Sequence, residues 1–592
     1  MKNSTIRYQV RLADPAGHRF AITLTIPRPE PGGQILRLPA WIPGSYLIRD
    51  FARQIESLLV FDADGPVGCH KTDSHTWQCA PAQGRLTVEY TVYAWDLSVR
   101  GAHFDESHAF FNGSSLFLAV VGQEDQPCLL DLCPPGHTDR WRVFTSLPEA
   151  EGEPGAAARH GFGCYRAPDH DALLDHPVEM GTPQCVSFEA HGTQHELVFT
   201  GVVPGLDLAR IAQDVQKICQ AQIEFFEPET RQAPFLDSAS RYVFLVMVTA
   251  DGYGGLEHRA STALITSRAD LPTTGQPEPE DYKRFLGLVS HEYFHTWHVK
   301  RIKPAAFAPY CLDRPNFTRL LWVFEGFTSY YDDLMLLRAG VIDEPAYFGL
   351  LARTMDGVLR GAGRHKQSVA ESSFDAWTRY YKQDENSPNA LVSYYTKGAL
   401  VALGLDLEIR QRTADRHSLD DVMRLLWKRH GRGFYDHPPQ GVPETAMQGL
   451  ILEATGVDVS DFIARHVDGR EDVPLKDALA RTGITLEASP ADQRPDLDVR
   501  THNDAGGVRL ATVYEHGPAH LAGLSAGDLL IAIDGLRVTS DTALKQLLAS
   551  HRPGDRVVVH VFRRDELRRY RVQLASARAL KHRLRRVDGP PA

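Results

Sequence analysis

The 592-residue chain has no apolar run approaching membrane-spanning length, and residues 1–10 lack the apolar core that a secretory signal needs. Positive charge is in deficit: 64 Lys and Arg stand against 75 Asp and Glu, and the net of -11 disfavours nucleic acid as the main partner. Cysteine is sparse. The eight residues Cys69, Cys79, Cys128, Cys133, Cys164, Cys185, Cys219 and Cys311 show neither a paired metal-knuckle spacing nor the density of a disulfide scaffold, so they read as reduced thiols. Internal repeats and low-complexity tracts are also missing. These absences point to a cytoplasmic protein with neither nucleic acid nor membrane as a partner.

The chain is too long for one core, and its 43% hydrophobic and 23% charged residues describe an ordinary globular protein. Periodicity divides it. Residues 6–176 alternate with a period of two between Pro and Gly clusters, as in Arg7-Tyr8-Gln9-Val10-Arg11-Leu12, which predicts a β-rich region. Residues 197–339 mix a helix over 207–226, an apolar strand over 242–249 and two further helices over 281–299 and 320–337. Beyond 344 the pattern is helical, clearest at 400–410 and 419–429, until a Pro-bounded hinge at 490–495. The expected domains are 1–178 (β-rich), 179–343 (mixed helix and strand), 344–488 (helical) and 489–578, with a basic tail at 579–592 that reads as a solvated terminus.

The most informative segment is His291-Glu292-Tyr293-Phe294-His295. Four residues make about one helical turn, so on a helix both imidazoles face one side and can grip one metal ion. Glu292 sits where it can take a proton from a water rather than bind the metal. The apolar spacing of Phe285-Leu286-Gly287-Leu288-Val289-Ser290 predicts a buried helix. A third ligand is offered by Glu325 within Trp322-Val323-Phe324-Glu325-Gly326-Phe327, where an unpaired charge among aromatics would be costly, and His-His-Glu is a known catalytic zinc set. Further upstream, the loop Asp251-Gly252-Tyr253-Gly254-Gly255-Leu256-Glu257-His258 has glycines that let backbone approach a substrate closely. If it borders the metal site, Glu257 could pair with a free α-amino group; taken alone, the loop reads rather as a β-turn with an exposed glutamate, because glycine pairs mostly mean turns.

HEYFHTWHVKRIKP at 291–304, LWVFEGFTSYY at 321–331 and LPAWIPGSYLIRDFAR at 38–53 together resemble the glycyl aminopeptidase family of zinc metallopeptidases, of gluzincin type. The resemblance implies a multidomain α+β chain: an N-terminal β-rich saddle domain, a thermolysin-like zinc domain, a helical domain and a C-terminal PDZ domain. It implies one Zn2+ per chain on His291, His295 and Glu325, with Glu292 as general base and acid. Gly254-Gly255-Leu256-Glu257-His258 matches the loop that reads Gly-x-Met-Glu-Asn in related aminopeptidases, which assigns Glu257, Gly254 and Gly255 to substrate and leaves the role of His258 open. Tyr395 within Tyr395-Thr396-Lys397-Gly398 corresponds to a tyrosine that steadies the oxyanion. The implied substrates are peptides with a free N-terminus, small residues such as Gly and Ala being preferred.

Residues 508–574, with Gly517-Pro518-Ala519-His520-Leu521-Ala522-Gly523-Leu524, resemble bacterial PDZ domains, which bind a C-terminal peptide by adding it to a sheet edge. Gly507-Val508-Arg509-Leu510 is the candidate carboxylate loop. Two other readings remain open at this point: a zinc endopeptidase with PDZ-docked substrates, and a non-catalytic PDZ adaptor, against which the intact His291, Glu292, His295 and Glu325 speak.

Overall fold

The computed structural model describes residues 5–136, 138–436, 440–491 and 494–587. The chain forms two compact units: residues 1–316, 331–342 and 423–443 make the first, and residues 317–330, 343–422 and 444–592 the second.

The first unit begins as the alternating pattern requires. Ile6–Asp14 buries every second side chain, pairs antiparallel with Arg19–Ile26 and runs parallel to Cys128–Leu132 within a six-stranded sheet. Arg241–Thr249 is buried on both faces, as a parallel strand covered on both sides must be. It lies at the centre of a five-stranded sheet, between Thr193–Thr200 and Ser261–Ser267, both parallel to it. Gly254–Glu257 is the edge strand of that sheet, antiparallel to Ser261–Ser267. Val243, Leu245, Leu256 and Ala263 join the core of the N-terminal sheets, so the two β layers share one apolar interior.

The helix Leu208–Phe226 matches its expected span to within one residue, whereas Tyr282–Phe294 ends five residues before the expected 299. They are tied by Gln222 Nε2, which donates to both the carbonyl and Oγ of Ser290 at 2.9 Å. After His295 the chain turns: His298 N donates to Phe294 O, Lys300 N to His295 O and Ile302 N to Trp297 O. Arg301, fully buried, anchors this turn by donating to the Thr296 and Arg259 carbonyls and pairing with both oxygens of Asp237.

In the second unit, Glu344–Arg360 and Thr396–Thr413 are the long helices. Six strands, among them Gly507–Val513, Leu529–Ile533 and Arg556–Arg563, form the C-terminal sheet around a separate apolar core that includes Val508, Leu530, Val559 and Leu544. Two expectations are corrected here. Leu580–Arg586 is a strand paired over its length with Ile484–Pro490, so it is no solvated tail. Its basic composition hides a period of two: Leu584 is buried, and the His582 N–H and ring bond to Asp356 at 2.8 Å. Gly507-Val508-Arg509-Leu510 is no open loop either, because the strand containing it pairs with Val499–Asp504 on one side and with Leu529 and Leu530 on the other, which occupies the amides that a carboxylate would need. Among the described residues no helix is long and apolar enough to cross a membrane, and the eight cysteines are free thiols.

Removing Asp237 should leave the Arg301 guanidinium buried without its counter-charge. Asp237→Ala is expected to lower stability by about 3 kcal/mol, read as a shift in the denaturant midpoint at unchanged slope.

Candidate active site

Helix Tyr282–Phe294 carries His291 in its last turn, and His295, still right-handed helical at φ -61° and ψ -18°, closes it. The two imidazoles stand almost perpendicular, at 88°, with their Nε2 atoms 3.0 Å apart. Each outer nitrogen has an acceptor: His291 Nδ1 lies 3.0 Å from Asp332 Oδ2, and His295 Nδ1 lies 2.7 Å from the His298 carbonyl. With the Nδ1 protons assigned by these acceptors, both inner nitrogens present lone pairs to one another, an arrangement that repels unless a cation lies between them. Two nitrogens bound tetrahedrally at zinc distances lie about 3.3 Å apart, so the pair fits zinc.

The sequence reading left the partners of the histidines unassigned, and Asp332 is the chief of these. It lies on the helix Gly326–Arg338, and burial raises its carboxyl pKa, opposed by the His291 contact. Ser290 Oγ donates to the Asp332 backbone carbonyl at 2.7 Å and so fixes this helix against the histidine helix. One signal in the sequence could have found it: Asp332 follows Glu325 by seven residues, two helical turns, and so falls on the same face.

The structure brings Glu257, Glu292 and His295 together, their ligand atoms all within 4.8 Å of one another and all three residues buried. Glu257 ends the edge strand, so the turn with an exposed glutamate is not what forms. Its Oε1 is buried and has no hydrogen-bond partner among the described residues. Two glycines make room for these carboxylates. A methyl group at Gly255 would lie 2.1 Å from Glu292 Oε1, and one at Gly44 would lie 2.5 Å from Glu257 Oε2. Gly44 also has φ +88°, a backbone state that glycine adopts without strain. Gly44 lies in the Ile42-Pro43-Gly44-Ser45-Tyr46 turn of the N-terminal region, and nothing local in the sequence announces that the turn reaches the site.

His258, whose role was open, points into a buried charge cluster. Its Nδ1 is 3.0 Å from Asp175 Oδ1, which also receives Lys300 Nζ at 2.9 Å, while Arg259 Nε reaches the other Asp175 oxygen at 3.1 Å. Burial alone would raise the Asp175 carboxyl, but Lys300, His258 and Arg259 hold it well below the usual range. Within the HVKRIKP segment, Lys300 and Arg301 are thus held in buried ion pairs behind the histidines.

Glu325 and Tyr395 lie in the second unit. The helix expected over 320–337 is broken into Leu321–Phe324 and Gly326–Arg338, and Glu325, 2% exposed, sits at the break. Gly326 faces Gly398 so closely that a methyl on either would come within 2.7 or 2.8 Å of the other's Cα, which draws together the starts of two helices, one preceded by Glu325 and the other by Tyr395. Tyr394 is fully buried, and burial pushes its hydroxyl well above the usual phenol range. Tyr395 is partly exposed and stacks on Tyr394 at 4.7 Å, with its hydroxyl 3.3 Å from that of Tyr381.

A paired-histidine helix packed against a mixed sheet, with buried carboxylates at the sheet edge, defines a metallopeptidase. Comparison with known proteins agrees. Residues 7–182 match the Peptidase M61 N-terminal domain, residues 284–401 the M61 glycyl aminopeptidase and residues 495–574 the PDZ domain. The chain is similar to an aminopeptidase N family protein from Idiomarina loihiensis, 40% identical, with a TM-score of 0.92 over 98% of both chains. An M1 zinc metallopeptidase from Deinococcus radiodurans is 14% identical, with a TM-score of 0.46 over 80% of this chain and 94% of that one. A serine protease Do-like HtrA from Lactobacillus helveticus is 35% identical over 80 residues, 14% of this chain and only 19% of that protein. The chain belongs to the M61 glycyl aminopeptidase family. It is a zinc metallopeptidase of the aminopeptidase kind with a C-terminal PDZ domain.

Two outcomes follow from the geometry. Asp332→Asn should weaken metal binding by about tenfold to a hundredfold, measured by chelator competition; unchanged affinity would mean that Asp332 does not orient His291. Gly255→Ala, which displaces the Glu292 carboxylate, should lower kcat about a hundredfold while the circular dichroism spectrum stays that of the parent.

Proposed function

We propose that this chain removes N-terminal residues, Gly and Ala preferred, from peptides, with one Zn2+ held by His291, His295 and Glu325. Helix periodicity supports Glu325: Asp332, two turns later on the same face, is the residue that touches His291. When bound, zinc polarises the scissile carbonyl and acidifies a water.

The rest falls to the side chains. Glu292 takes a proton from the attacking water and returns it to the leaving amine. Tyr395 donates a hydrogen bond to the oxygen on which negative charge develops, worth about 3 kcal/mol by comparison with other single donors. Substrate backbone adds to the open edge at Gly254 and Gly255, as peptides add to sheet edges elsewhere. The preference for small residues rests on the family description, and the C-terminal domain is the expected seat of a peptide with a free C-terminus. A cytoplasmic location, expected from composition, belongs to the same reading.

One observation carries the choice of a free N-terminus: the buried Oε1 of Glu257 has no partner among the described residues and lies beside Glu292 and His295. A substrate ammonium satisfies it. An internal peptide bond or a blocked terminus leaves the charge buried and unpaired. The test is a panel of aminoacyl reporters with free and N-acetylated termini. Turnover should be confined to the free forms, and acetylated substrates cleaved equally well would replace this reading with an endopeptidase. Glu257→Gln should lower kcat/KM about thirtyfold, the equivalent of about 2 kcal/mol for a charge-assisted bond. Glu292→Gln should keep its metal and lose turnover by orders of magnitude.

A further inference from the structure

A second group of potential metal ligands lies in the N-terminal region, on the hairpin formed by Ala102–Phe104 and His108–Phe111. His103 pairs across the hairpin with Phe110 and Phe104 with Ala109. Side chains on one sheet face recur every second residue, so His103 and Asp105 share a face along the chain. His108, two before Phe110, shares it across the hairpin. The spacing His-x-Asp-x-x-His around a tight turn therefore gathers two imidazoles and a carboxylate at one place. Ligand atoms of His103, Asp105 and His108 lie within 4.8 Å of one another.

Three details suit a cation. His103 is 5% exposed, and its Nδ1 is buried without a hydrogen-bond partner among the described residues. A buried nitrogen of this kind otherwise has a partner. His108 Nδ1 lies 3.1 Å from Glu179 Oε1, itself buried. An Nδ1–H donated to that carboxylate fixes the ring and turns the Nε2 lone pair outward, the support that metal-binding histidines commonly receive. Asp105 accepts from Ser107 N, Ser107 Oγ and His108 N, all on Oδ1, which leaves Oδ2 for a ligand.

We propose that His103, Asp105 and His108 form a second binding site for a first-row divalent cation of the zinc type, apart from the His291–His295 pair. Two imidazoles and a carboxylate suit such ions, with water completing the shell. The ion clips the hairpin turn. The two rings are nearly parallel, at 17° and 4.9 Å, and Trp95 stacks on His103 at 4.7 Å. In-plane lone pairs of parallel rings do not converge, so capture turns His103 about its soft outer torsion and away from Trp95.

The experiment uses the full chain, stripped with chelator and dialysed against micromolar free Zn2+, with bound metal counted by mass spectrometry. Two ions per chain are expected in the parent. One is expected in His103→Ala, in His108→Ala and in the milder Asp105→Asn, with aminoacyl reporter turnover kept within about twofold. His291→Ala should also drop the count by one and abolish turnover, so failure at the hairpin and failure of the peptidase reading give different patterns. Co2+ should quench a component of the fluorescence that is lost in Trp95→Phe and in His103→Ala. A parent count of one, or a count that the three hairpin variants leave unchanged, overturns the proposal.

Discussion

Two imidazole nitrogens held 3.0 Å apart with their lone pairs facing are the constraint on which this structure is built. Such an approach has to be enforced, and the enforcement comes from the far side of each ring. Asp332 and the His298 carbonyl fix the two Nδ1 protons. The chain turns immediately after the second histidine because the carbonyl that fixes it is only three residues further on. A helix continued to residue 299 would aim that carbonyl along the helix axis, away from the His295 ring.

Behind the turn, charge rather than apolar packing supplies the rigidity. Arg301, Lys300, Arg259 and His258 are buried against Asp237 and Asp175. Buried ion pairs add little net stability, but each ion fixes its partner's position because an unpaired alternative is so costly. The arrangement suits a site whose ligands must converge on one point within a few tenths of an ångström.

In front of the histidines, the buried carboxylates are kept distinct by what surrounds them. Glu292 lies against the backbone of Gly255 on the sheet edge, while Glu257 lies against Gly44 from the N-terminal turn. A β-rich region that carries none of the zinc signature thus shapes the surroundings of these carboxylates, and both positions require glycine for space rather than for flexibility alone.

The paired histidines, the intervening glutamate and the amphipathic helix beneath them were legible because a helix converts spacing into direction: residues four apart must share a face. Alternation revealed the N-terminal strands for the same reason. The strand Leu580–Arg586 went unread because its alternation was written in basic residues, whose stems can cover apolar surface. The role of Gly44, the buried partners of His258 and the gathering of His103, Asp105 and His108 depend on chain crossings and on pairing register, which no local pattern encodes. By itself the sequence determined which groups could do chemistry on each helix and strand, since local periodicity sets the face. Only the tertiary structure decided which of them meet, because contacts between residues far apart in the chain are fixed by the packing of whole elements.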